Sequence, residues 1–328
     1  MRALVWNGPG ALALETRPEP EPAPGEVLLK VLTVGICGSE VEGYLGESAI
    51  RKPPLIMGHE CAGEVVAVGE DVTGVATGER VSLNPLLSCG RCPRCREGQQ
   101  QQCPERQLVG AQRPGAFAEY VAVPAENVYV LPPGTSEVAG AITEPLACCI
   151  HAVDRSGIGI GGRAAVIGFG SLGVLLTQAL QWAGVEEIVV VEPDAGRRAI
   201  AQGFGATAAL DPAAAAEAGG ALDVAFDTVG KGVTRALSVD LLRTGGSAVL
   251  LGLHDAGFPI DGNAFLRREL TMISSYAYNR TSFARAVDVL PRVGLDGWIT
   301  FGGLEDGPSS FKTLIEDPTG PPKIMMRP

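Results

Sequence analysis

The sequence predicts an α/β protein: a doubly wound parallel sheet combined with a β-rich domain. Three observations carry this. Up to about residue 145, short β-branched runs are separated by Pro-Gly turns, and no helical period persists. From about residue 147, strand-length and helix-length segments alternate, the pattern of a parallel sheet covered by helices. A GxGxxG hexapeptide sits between the first strand and the first helix of that alternation. The 328 residues suit about two domains, and the segment boundaries read as 1–146, 147–277 and 278–328.

In the first segment, Met1 to Trp6 reads as a strand. Glu26 to Val34 and Cys61 to Val68 are longer β-branched runs; Arg80 to Leu83 and Phe117 to Val123 are shorter ones. Pro24-Gly25, Pro114-Gly115 and Pro133-Gly134 mark turns. In the second segment, Arg163 to Gly168, Glu187 to Glu192, Asp223 to Asp227 and Ser247 to Leu251 read as buried strands. Leu172 to Trp182, Ala195 to Gly203 and the stretch around Val233 to Leu242 read as helices, with Gly205 as a stop signal. The alanine-rich stretch Ala213 to Ala221 reads as a surface helix or loop. Past residue 278 the alternation stops, and Phe301 to Pro328 reads as a loop-rich tail able to return to the first domain.

The formal net charge of −11 repels phosphate backbones, which argues against a nucleic-acid partner. No apolar run approaches the ~20 residues of a membrane span, and the first residues lack the pattern of a secretory signal. We therefore expect no membrane partner and a cytoplasmic, reducing location. The 8 Cys then need an explanation other than disulfides.

Gly168-Phe-Gly170-Ser171-Leu172-Gly173 has the spacing of a dinucleotide fingerprint. In a chain with 44 Gly the hexapeptide alone says little; between a strand and a helix it stands in the required context. The first Gly permits a tight turn, the second lets backbone N–H groups reach a pyrophosphate, and the third lets helix and strand pack closely. Glu192 follows at the end of the next strand, placed to accept hydrogen bonds from ribose hydroxyls and to repel a 2′-phosphate. NAD is expected over NADP, although Arg197 and Arg198 weaken that preference because an Arg can pair with the 2′-phosphate.

Cys89, Cys92, Cys95 and Cys103 read C-x2-C-x2-C-x7-C. Four thiolates in one short, polar loop suit a closed tetrahedral zinc site. An iron–sulfur cluster also takes four Cys, but the rest of the chain reads as hydride chemistry. A second set is dispersed: Cys37, His59, Glu60 and Glu144, with Cys37 in Gly35-Ile-Cys-Gly38 and His59 beside Glu60. Thiolate, imidazole and carboxylate together suit a catalytic zinc with one open position. Alone, Cys37 would read as a small buried hydrophobe.

In these residues the chain resembles the zinc-containing medium-chain dehydrogenase/reductase (alcohol dehydrogenase) superfamily. Gly58-His-Glu60-x2-Gly63-x5-Gly69-x2-Val72 fits its zinc signature, and the four-cysteine loop has its spacing. Thr143-Glu-Pro-Leu146 looks most like the sorbitol/polyol dehydrogenase branch. The resemblance implies a Rossmann domain inserted in a GroES-like catalytic domain, two zinc ions per chain and a homodimer or homotetramer, through the outer strand around Leu250 to Ile273. It implies Cys37 and His59 as ligands of the catalytic zinc, with Glu60 and Glu144 as candidates for the third. It also places Ser39 at the hydroxyl position that contacts the alcohol and passes its proton on.

Two positions depart from the family pattern Cys-Gly-Ser-Asp-x-His. Glu40 replaces an Asp that orients the ligand His, so its extra methylene has to be absorbed by a backbone shift or the contact becomes indirect. Glu42 replaces a His at the end of the proton relay, and is either a catalytic proton acceptor or a surface residue. The resemblance implies hydride transfer between NAD and a secondary alcohol of a polyhydroxylated substrate: a polyol, cyclitol or sugar phosphate. Threonine-like amino alcohols and a non-catalytic redox regulator on the same fold are the alternatives. Glu42, Tyr44, His254, Tyr276, Tyr278 and Arg280 are candidates to line a polar substrate site, with Arg267 or Arg280 as a phosphate partner.

Overall fold

The computed structural model describes every residue of the chain except Pro318. It divides into two compact units, Met1–Glu144 with Asn279–Pro328, and Pro145–Tyr278.

In the first unit, strand Glu26–Gly35 organises the main sheet. It pairs antiparallel with Glu60–Val68, Tyr120–Pro124 and Lys323–Arg327, and its residues are buried almost throughout, as a strand covered on both faces requires. Arg80–Leu83 and Val128–Val130 extend the sheet on one side and Ile299–Gly303 on the other. A core of Leu29, Val34, Val65, Phe117, Phe311 and Met326, among others, fills the interior.

Two expectations are corrected here. The first segment is not free of helix: Gly38–Leu45 and Glu137–Ala141 are helical. Both are too short to show a period in the 11-residue windows where one is legible. The tail is not loop-rich either. It opens within strand Ile299–Gly303 and holds helix Gly307–Glu316 and strand Lys323–Arg327; helix Arg280–Val289 precedes it. Gly307-Pro308, which reads as a breaker, opens a helix, because Pro in the first turn forgoes an N–H that has no intrahelical partner there. Pro318, within that tail, lies outside the described residues.

The second unit is a six-stranded, wholly parallel sheet in the order Ala208–Leu210, Glu187–Val191, Arg163–Ile167, Leu222–Asp227, Leu242–Leu250, Thr271–Ser274. Numbered along the chain this is 3-2-1-4-5-6, the doubly wound order whose ligand crevice lies at the C-terminal end of the first strand. The expected strand Ser247 to Leu251 starts earlier and ends one residue sooner, as Leu242–Leu250, which meets Leu222 before a register irregularity. The alanine-rich stretch is a helix, Pro212–Ala218, whose cap Asp211 accepts from Ala213 and Ala214 N–H. No helix among the described residues is long and apolar enough to cross a membrane.

Candidate functional site

Cys37 is the N-cap of helix Gly38–Leu45, where unpaired N–H groups and the helix dipole favour a negative charge. His59 and Glu60 enter strand Glu60–Val68, whose Glu60 is in register with Gly35. A side chain at Gly35 would overlap the Glu60 carboxylate, so the glycine is what admits that carboxylate beside the helix cap. Ligand atoms of Cys37, His59 and Glu60 all lie within 4.8 Å of one another. His59 and Glu60 are buried and Cys37 is partly exposed, which leaves one side of the cluster open.

Glu40 holds this arrangement together. Its Oε2 accepts from Cys37 N–H at 2.8 Å; its Oε1 accepts from Gly58 N–H at 2.8 Å and lies 2.7 Å from His59 Nδ1. Despite the extra methylene the contact to His59 is direct, not indirect, and the longer side chain also caps its own helix. With Nδ1 committed to Glu40, Nε2 is the nitrogen left for a metal. Burial disfavours the charged form of His59, but the Glu40 carboxylate and the hydrogen bonds to Cys37 and Glu40 outweigh it and raise its pKa well above 6.5. Burial likewise opposes ionisation of Glu40, and His59, Arg51 and the Cys37 N–H overcome it to leave its pKa lowered.

Glu144 is buried in the first turn of helix Thr143–Ser156 but is not a member of this cluster. The polar partner found on Ser39 Oγ is Arg51, at 3.3 Å; Glu42 lies partly exposed on the same helix as Ser39. Among the substrate candidates, Tyr278 is 1% exposed and so is removed from any open surface. Arg280 pairs with Glu126, and Tyr44 donates to Gly10 O and packs on Phe311. His254 is exposed and paired with Asp255, Tyr276 is exposed, and Arg267 stands in the last turn of helix Gly262–Arg267.

The loop cysteines converge as a second set: Cys89, Cys92, Cys95 and Cys103. Their sulfurs lie 4.0 Å (Cys89 to Cys95) and 3.4 Å (Cys92 to Cys95) apart, close to the ~3.8 Å edge of a tetrahedron with Zn–S bonds of ~2.3 Å. N–H donation from Arg91 and Cys92 pulls the Cys89 thiol down to about 7, whereas burial and the Cys92 contact push Cys95 up to about 11. Both donor sets fit zinc: four thiols for a closed site, and thiol, imidazole and carboxylate with one open side for a reactive one. Cys61, by contrast, is a buried hydrophobe whose thiol burial pushes up to about 12.

The glycine turn follows the first strand of the parallel sheet. Gly168 has φ +89°, a conformation L side chains rarely adopt, and a side chain at Gly173 would overlap Gly168 O. Gly170 faces open space. Ser171 Oγ, in the first turn of helix Ser171–Trp182, is buried without a hydrogen-bond partner. An open glycine, a helix N-terminus and an orphaned hydroxyl fit a dinucleotide pyrophosphate. Glu192 closes the turn: its two oxygens accept from Phe169 N–H at 2.7 Å and Asp194 N–H at 3.0 Å. Arg197 lies in the first turn of helix Ala195–Ala201, its N–H on the cap Asp194. Arg198 donates to the carbonyls of Glu192 and Pro193.

Sequence reasoning missed Lys323 and Arg51. Lys323 Nζ contacts both oxygens of Glu60 and the carbonyl of Ile36. A lone cation opening the apolar run Lys323-Ile-Met-Met326 was the available signal, because a charge in a buried strand has to be paired. Arg51 carried no such signal, lying in a Lys- and Pro-rich stretch that reads as surface.

Residues 23–133 match the family model of the alcohol dehydrogenase GroES-like domain, and residues 171–292 that of the zinc-binding dehydrogenases. The chain is 31% identical to a sorbitol dehydrogenase of Bacillus subtilis, over 86% of this chain and 83% of that one. It is 36% identical to an L-threonine 3-dehydrogenase of Caldanaerobacter subterraneus, over 74% and 73%. A Sinorhizobium meliloti structure bound to NADP, assigned provisionally as a zinc-binding dehydrogenase, superposes with a TM-score of 0.93 at 33% identity, covering 100% of this chain and 99% of that one. With its GroES-like sheet, its parallel dinucleotide-type sheet and both donor sets in place, the chain belongs to the zinc-containing medium-chain alcohol dehydrogenase superfamily and is an oxidoreductase of that type.

Proposed function

We propose that the protein oxidises a secondary alcohol of a polyol, cyclitol or sugar(-phosphate)-like substrate, with NAD as acceptor and zinc as an essential ion. The observation that carries this is the meeting of Cys37, His59 and Glu60 at the N-terminus of the helix that also bears Ser39. Cys37, His59 and Glu60 would hold the reactive zinc, and Cys89, Cys92, Cys95 and Cys103 the structural one. The turn from Gly168 to Gly173, with Ser171 and Leu172, would hold the dinucleotide. When bound, zinc supplies a Lewis acid that acidifies a hydroxyl, and NAD supplies the acceptor for hydride.

The remaining work falls to side chains. Glu40 fixes the tautomer and direction of the His59 ring. Lys323 holds the Glu60 carboxylate in place through both of its oxygens. Ser39 Oγ takes the substrate's hydroxyl proton as its own proton passes to solvent water, so the serine is neutral before and after. Glu192, held by two N–H groups, presents a fixed negative charge where a 2′-phosphate would sit, which supports NAD over NADP.

The test is NAD and NADP reduction with a panel of polyols, cyclitols, their phosphates and threonine, by wild type, Cys37→Ser and Glu144→Ala, with zinc content measured in parallel. We expect turnover with a polyol and NAD, about two zinc per wild-type chain by the two donor sets, and loss of turnover in Cys37→Ser. Wild-type turnover in Cys37→Ser would refute the reading, and turnover confined to threonine would replace the substrate class.

A further inference from the structure

Arg51 is charged, 6% exposed and belongs to neither donor set. Its guanidinium donates from Nη2 to Ser39 Oγ at 3.3 Å, from Nη1 to Ser48 Oγ at 3.4 Å and from Nε to Gly110 O at 3.3 Å. All three contacts are to neutral oxygens, and they fix the plane of the fork. Helix Gly38–Leu45 makes room for it. A Cβ at Gly43 would stand 2.6 Å from Arg51 Cδ, so the helix carries a glycine there although Gly is less favourable than Ala inside a helix.

We propose that Arg51 is a positioning residue for Ser39, fixing the direction in which the serine hydroxyl receives and releases a proton. A guanidinium has donors and no acceptor, so the Ser39 hydroxyl hydrogen cannot point at it. One lone pair of Oγ is occupied by Arg51. The other is left to accept the substrate's O–H, and the serine's own O–H is directed onward. In the transfer, the substrate O–H bond breaks as a new O–H bond forms on Ser39, and the serine's former O–H bond breaks as its proton passes to solvent water. Arg51 gains and loses nothing. Its positive charge also disfavours a serine carrying two protons, so arrival and departure stay coupled. A lysine at this position retains charge but lacks the planar fork.

This inference rests on the proposed role of Ser39, and its test separates the two. The proteins are wild type, Arg51→Lys, Arg51→Gln, Ser39→Ala and Arg51→Lys/Ser39→Ala, assayed with the best alcohol of the panel. In Arg51→Lys we expect kcat to fall roughly tenfold or more, the sensitivity of a reaction to misplaced groups, with KM within about threefold. Arg51→Gln is expected to fall further. In the Ser39→Ala background, adding Arg51→Lys is expected to change kcat less than about twofold, because residues acting through one contact are not additive. The same cycle is read without turnover, as the urea midpoint of the zinc-loaded, NAD-free protein, where a non-zero coupling between positions 39 and 51 is expected. Equal losses from Arg51→Lys in both backgrounds, or wild-type turnover in Arg51→Gln, overturn the inference. If wild type turns over no alcohol, the functional reading fails by itself; the urea cycle then decides the Arg51–Ser39 coupling, and its absence overturns the inference.

Discussion

Lys323 Nζ lies 2.8 and 2.6 Å from the two carboxylate oxygens of Glu60, with both residues almost sealed from solvent. Lys323 opens the last strand, which pairs with Glu26–Gly35, so a residue near the end of the described chain supplies a wall of the cluster built around Cys37. The Ile36 carbonyl that also accepts from Nζ is one residue before Cys37. Burial works against the lysine's charge, but Glu60, Cys37 and Glu40 outweigh it and hold its pKa above the usual lysine value. Lys323 is thus the buried cation that faces the Glu60 carboxylate beside Cys37.

Replacing it follows directly. Lys323→Met leaves Glu60 buried without its cation, and breaking a buried pair from one side costs about 3–5 kcal/mol. Urea unfolding of chelator-treated protein is expected to show that loss. A bound zinc ion offsets it, so the difference from wild type is expected to shrink in zinc-loaded protein. An equal loss with and without zinc would show that the pair serves packing alone.

Glu40 makes three hydrogen bonds with two oxygens, and a Gln side chain has one acceptor oxygen. Glu40→Gln therefore orphans at least one buried N–H and loosens the His59 ring. Carboxylates behind ligand histidines are worth about 10–100-fold in metal affinity, and a loss of that size at the reactive site is expected in a chelator competition. Zinc in the four-cysteine loop is expected to stay, so that the zinc content falls toward one per chain at limiting zinc.

The Glu192 carboxylate bears on cofactor choice. In Glu192→Ser the fixed negative charge is gone, and the NAD-over-NADP affinity ratio is expected to drop by about tenfold, equivalent to ~1.4 kcal/mol. Fluorescence titration with NADH and NADPH measures it. An unchanged ratio would assign Glu192 to closing the glycine turn only.

Much of this was legible in the residues. The parallel sheet was, because its strands are continuous apolar runs and each crossover brings a helix with recognisable ends, such as Gly205 at φ +102°. The four-cysteine loop was, because its ligands are close in sequence. The candidate cluster was legible in Cys37, His59 and Glu60, which meet in space, but not in what holds them. Lys323 reaches Glu60 across 263 residues, and Arg51 reaches Ser39 from an irregular stretch; neither spacing leaves a periodic trace. The tail helix Gly307–Glu316 was hidden for another reason, since Gly and Pro at a helix start read like turn residues.

His151 provides a pH test of the second unit. It is 4% exposed within helix Thr143–Ser156. Burial and then the nearby Arg155 charge lower its pKa below 6.5, against a smaller opposing pull from Asp154. The folded chain thus takes up this proton at a lower pH than the unfolded chain does. Stability from His151 is fully present above 6.5 and is lost as pH falls through the folded value, with a slope of at most ~1.4 kcal/mol per pH unit. His151→Gln removes the titration. Subtracting its pH–stability curve from that of wild type is expected to leave a difference that rises with pH below 6.5 and is flat above it; a difference flat throughout would mean the imidazole titrates alike in both states.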